Sequence, residues 1–99
     1  MNIKDFKAIF QEPIVSVNNI LKYIFIFNTD TSGRIESYDS SLGVSITADW
    51  ELNSREPDIY INIKGFDGLG HPHSGLVCKI EDLKNILVVQ TSAYDLVGE

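Results

Sequence analysis

Polar and apolar positions follow two different periods along the chain. Near the N-terminus, Ile3, Phe6, Ile9 and Phe10 recur at the spacing of one helical face, with Lys4, Asp5 and Lys7 off it. Asn2 is placed to cap that helix. Pro13 cannot continue it and biases Glu12 away from helical geometry, so the first helix is predicted to end near Gln11. In the middle of the chain the period drops to two. Val44, Ile46, Ala48, Trp50 and Leu52 alternate with Ser45, Thr47, Asp49 and Glu51, and no helical stripe accounts for this. Ile59, Ile61 and Ile63 alternate in the same way with Tyr60, Asn62 and Lys64. Residues 43–52 and 58–65 are therefore predicted to form an antiparallel hairpin, joined by the five turn-rich residues 53–57.

Upstream, residues 20–27 are β-branched and aromatic, with Tyr23, Phe25 and Phe27 facing one way and Ile24 and Ile26 the other. Both faces are apolar, the pattern of a strand covered on both sides. Residues 30–33 turn the chain, and residues 34–38 are short enough for an edge strand. Residues 67–75 form a glycine-rich loop, and residues 76–78 a short extended piece. Beyond it, Leu83, Ile86, Leu87 and Tyr94 fall on one side of a predicted helix over residues 81–94. Glu81 and Asp82 open that helix at its positive end, whereas Val88, Val89 and Thr91 favour a strand. The expectation is one α+β domain over residues 1–99. It is a four-stranded antiparallel β-meander flanked by an N-terminal and a C-terminal helix packed on one face.

Composition narrows the function classes. The 99 residues are 43% apolar and 22% charged, enough for one hydrophobic core. Eight basic and fourteen acidic residues give a net charge of −6, which disfavours nucleic acid and anionic membranes and favours a basic partner. One cysteine, Cys78, allows no internal disulfide. The charged N-terminus has no signal-peptide apolar segment, and the longest apolar run, residues 24–27, is far too short to span a bilayer. A cytoplasmic protein is expected.

The chemistry-bearing candidates are few. His71 and His73 flank Pro72, with Asp67 and Cys78 near in sequence, but structural zinc calls for four ligands from paired short-spaced motifs. The glycines of residues 67–70 match no phosphate-binding loop. Cys78 has Lys79 beside it but Glu81 and Asp82 after it, which oppose a thiolate. Carboxylate pairs are present in Asp49/Glu51 and Glu56/Asp58, but acid–base work needs a buried member, and Asp49 and Glu51 lie opposite Ala48, Trp50 and Leu52, hence on the solvated side. No metal, no cofactor and no catalytic residue is expected.

The solvated side of the hairpin remains. Ser45, Thr47, Asp49 and Glu51 share it with Tyr60, Asn62 and Lys64. Glu36 and Tyr38 join from the neighbouring strand, and Asp58 lies at the end. This reads as an acidic field holding tyrosines, suited to steering and gripping a basic protein. The candidate partner-binding residues are Glu36, Tyr38, Asp49, Glu51, Asp58 and Tyr60.

In its size, its −6 charge, its lone cysteine and its hairpin with outward acids, the chain resembles the immunity proteins of bacterial toxin systems, including those of contact-dependent growth inhibition. The resemblance implies a cytoplasmic inhibitor, monomeric when free. It would occlude a basic nuclease toxin by presenting carboxylates and tyrosines where nucleic-acid phosphates lie. Two other classes stand beside it: a small metal- or ligand-dependent enzyme using the His71/His73 loop, and a structural assembly subunit pairing through a sheet edge.

Overall fold

The computed structural model of the chain describes residues 1–67 and 76–89. His71, His73 and the last five residues of the second predicted helix, 90–94, lie outside them. The elements in order are α1 (Ile3–Phe10), β1 (Ile14–Val15), β2 (Leu21–Thr29), β3 (Ser32–Asp39), β4 (Val44–Arg55), β5 (Asp58–Asp67), β6 (Leu76–Lys79) and α2 (Ile80–Val88). The strands form one curled antiparallel sheet in sequence order, β1 to β6, with a helix contributed by each end of the chain. The α+β class stands, with six strands in place of four.

Alternation decides which side of each strand meets the core. Tyr23 and Phe25 of β2, Ile35 of β3, Ile46, Ala48 and Trp50 of β4, and Ile61 and Ile63 of β5 are all buried on the inner face. Both helices add to the same core, Phe6 and Phe10 from α1 and Ile80, Leu83 and Leu87 from α2. Trp50 is 2% exposed, as its place in the alternation predicts. Its ring centroid lies 5.6 Å from that of Phe6 and 5.1 Å from that of Phe27, and its indole N–H donates to the Arg34 carbonyl at 2.9 Å. The indole therefore buries a large apolar body without orphaning its one donor.

Local chemistry fixes the helices and turns. The Asn2 side chain accepts the Asp5 N–H at 2.8 Å, the expected N-cap. Lys7 pairs with Asp30 at 2.8 Å, tying α1 to the β2–β3 turn. The buried Asp39 carboxylate accepts from the Ser41 N–H, the Ser41 hydroxyl and the Leu42 N–H, closing the β3–β4 turn. Gly33 is required where it stands. A Cβ there would fall 1.8 Å from the Ile26 carbonyl oxygen, beside the irregularity in the β2–β3 pairing. At the bottom of the sheet α2 touches β1 as well as β5 and β6, and the Val17 N–H donates to the Val88 carbonyl at 2.8 Å.

Three expectations need correction. The hairpin is longer than its alternation suggests. Asn53, Ser54 and Arg55 pair with Tyr60, Ile59 and Asp58, leaving only Glu56 and the cis-linked Pro57 as the turn. These polar residues lie beyond the core, where the ladder can continue with their side chains in water. The strand around residues 34–38 is interior, bonded to β2 on one side and β4 on the other, and the edges belong to the short β1 and β6. Finally, the described residues cover β2 on one side only. Ile24 and Ile26 are 38% and 40% exposed, and no described element crosses them.

Candidate interaction surface

Both helices pack inside the curl, so the outer face of the sheet is the broad surface that no described helix occupies. Strand register lays its side chains out in rows. One row runs Val15, Lys22, Tyr38, Ser45; the next Ile24, Glu36, Thr47; the next Ile26, Arg34, Asp49, Lys64. Further along lie Glu51, Asn62 and Val77, then Asn53, Tyr60 and Lys79, and at the tip Arg55 and Asp58. All six predicted partner-binding residues, Glu36, Tyr38, Asp49, Glu51, Asp58 and Tyr60, fall on outward positions of this face. Tyr38 is 46% exposed, and Tyr60 is half-buried under the guanidinium of Arg55, 5.4 Å from its ring centroid.

The charge of this face differs from the acidic field that alternation suggests. Among the residues whose side chains are described, its outward positions hold five cations (Lys22, Arg34, Arg55, Lys64 and Lys79) and four carboxylates (Glu36, Asp49, Glu51 and Asp58), a balance of +1. The chain as a whole carries −6. The face owes its balance to register. Arg34, Lys64 and Lys79 are delivered from neighbouring strands to the acids of β4 and β5.

The face also divides in two. Over β4 to β6 three carboxylates have cations beside them: Asp49 has Arg34 of β3 at 3.7 Å, Glu51 has Lys64 at 2.7 Å and Asp58 has Lys79 at 3.4 Å. The Asp58 carboxylate raises the pKa of Lys79 above its ordinary value, so that lysine is cationic at all physiological pH. Over β1 to β3 the surface is apolar, with Val15, Ile24, Ile26 and Tyr38 all more than a third exposed. Lys22 and Glu36 stand in it without an ion-pair partner among the described residues.

Nothing resembling a catalytic centre accompanies this surface among the described residues. No three His, Cys, Asp or Glu side chains there converge as a metal site would require. Two open grooves of about 450 Å³ lie on the helical side. One runs along α1 past Lys4, Lys7 and Asp30, the other between α1, β1 and α2 past Ile9, Pro13 and Lys84. Neither is lined by a described histidine, cysteine or serine. Cys78 faces inward against Ile61, and burial, with Asp82 nearby, pushes its thiol up to about 11. It is a neutral thiol at pH 7–8, the opposite of an activated nucleophile. No described helix is long and apolar enough to cross a membrane. Set against protein-family models, curated proteins and solved structures, the chain matches none of them.

Proposed function

We propose that this chain is a non-catalytic protein-binding domain of the immunity type, a cytoplasmic inhibitor that neutralises a basic toxin domain, a nuclease, by covering it with the outer face of the sheet. The observation that supports this reading is the gathering of Glu36, Tyr38, Asp49, Glu51, Asp58 and Tyr60 on one broad face that neither helix occupies. An interface of standard size takes ~800 Å² from each partner. The whole chain has 5611 Å² of accessible surface, so one sheet face is a sufficient area.

Recognition divides between range and contact. The net −6 of the chain attracts a basic partner at distance and raises its arrival rate. At contact, Asp49, Glu51 and Asp58 exchange their own lysines and arginines for those of the partner, and Tyr60 and Tyr38 supply buried area at small entropic cost.

The test is a pull-down for the partner and co-expression with any toxin domain that the gene neighbourhood encodes, scored by growth, followed by association kinetics at low and high salt. In Asp49→Asn/Glu51→Gln the face rises from +1 to +3, so association with a basic toxin slows and growth protection falls. Full protection by that variant, with unchanged association rates and salt slope, overturns the assignment of the face. A gene neighbourhood whose products are neither toxic nor bound overturns the immunity role itself.

A further inference from the structure

Four outward residues of β2 and β3 form a square. Lys22 pairs with Tyr38 in one row, and Ile24 with Glu36 in the next. Its sides are ~5 Å across the strands and ~7 Å along them. The apolar pair, Ile24 and Tyr38, occupies one diagonal, and the charged pair, Lys22 and Glu36, the other. All four are exposed. Elsewhere on the face Asp49, Glu51 and Asp58 each have a cation within 3.7 Å, but here neither charge has an ion-pair partner among the described residues.

From this arrangement we infer that the β1–β3 half of the outer face docks a second copy of the chain. A two-fold axis lying in the sheet plane along the Ile24–Tyr38 diagonal carries each end of the other diagonal to within side-chain reach of the place of its opposite end. Lys22 of each copy then meets Glu36 of the other, twice. Along the axis, Ile24 lies against Ile24 and Tyr38 against Tyr38. The strands of the two sheets cross steeply, an established mode of sheet packing. Closed two-fold contacts need a patch that complements itself, and this square does.

The charge distribution favours the same occupant. Two copies of a −6 chain repel each other over most of their surfaces, but the outer face is locally balanced, so it is where two copies approach without that repulsion. The area is modest. The square and its rim, Val15 and Ile26, fall at the low end of interface sizes, so the dimer is weak and forms in the micromolar range or above. It covers Glu36 and Tyr38 and leaves Asp49, Glu51, Asp58 and Tyr60 free. The inference goes beyond the toxin-binding reading and does not rest on it.

The experiment is sedimentation of the full chain alone, from ~1 µM to ~1 mM, so that its outcome is independent of any toxin. The weight-average mass is expected to rise from the 11.1 kDa monomer towards twice that value. Lys22→Glu alone and Glu36→Lys alone each place like charges across the axis and weaken association about tenfold. The double variant, Lys22→Glu/Glu36→Lys, restores it. Circular dichroism on each variant checks that the sheet is intact. A mass of 11.1 kDa at every concentration overturns the inference. So does association that ignores both single variants, or a double variant that stays as weak as the singles; the last is the pattern of a surface built for a foreign partner.

Discussion

The two faces of β4 are made by the same residues in turn, yet they have opposite tolerances. Ile46, Ala48 and Trp50 point inward and are at most 3% exposed, while Asp49 and Glu51, their immediate neighbours, stand in solvent or at its margin. Trp50 meets the rings of Phe6 and Phe25, and Ile46 and Ala48 belong to the same buried core, so a change in volume has nowhere to relax. Each outward charge meets one cross-strand partner in water, worth ~0.2–1 kcal/mol. Stability and recognition are thus interleaved one residue apart, and mutation can separate them.

The largest break in that comparison is Trp50→Ala. It empties the centre of the aromatic cluster and orphans no donor, and is expected to cost ~3–5 kcal/mol. Denaturant unfolding measures the loss, and a blue-shifted emission in the wild type checks the burial behind it. Next comes Gly33→Ala, which adds only one methyl, yet that methyl meets the Ile26 carbonyl and forces β2 and β3 apart. A loss of about 3 kcal/mol in the same assay is expected, although no side chain is removed.

Ser37→Ala sharpens the comparison with a change of sign. The Ser37 hydroxyl is fully buried on the inner face, with no hydrogen-bond partner among the described residues. Deleting it relieves a desolvated polar group, so a gain of up to about 1 kcal/mol is expected, and a loss above that value would reveal a partner. The smallest effect belongs to Asp49→Asn/Glu51→Gln, whose melting curve is expected to overlay that of wild type to within ~0.5 kcal/mol per site. A larger loss there would make the outer ion pairs part of the scaffold.

Period was legible in the sequence, and pairing was not. Asn2 as a cap, the α1 face and the inward side of Trp50 all follow from spacing within one short segment. β1 has two residues, too few for any period, and is a strand only because Ile14 and Val15 meet Tyr23 and Lys22. The interior position of β3 depends on what bonds to both its edges, information its own residues do not carry. Ile24 and Ile26 look like core residues by composition, and only the absence of a covering element among the described residues turns them into a surface. The candidate site divides in the same way. Outward acids can be counted along one strand, but Arg34 beside Asp49 and Lys79 beside Asp58 are consequences of register between strands. The His71/His73 loop lies outside the described residues.

The contact between the end of β1 and the end of α2 has a kinetic consequence. Each strand pairs with its neighbour in sequence, so the sheet can assemble through short loop closures, which form quickly. The bond from the Val17 amide to the Val88 carbonyl instead closes a loop spanning nearly the whole described chain. It has little reason to form before the strands between are in place, and it can open without disturbing them. Opening lifts Leu83 and Leu87 out of the core while β2 to β5 stay paired, a partial unfolding with a lower free energy than the global one. In native-state hydrogen exchange the Val17 amide then belongs to an early-opening unit, and the amides of β3 and β4 to the last.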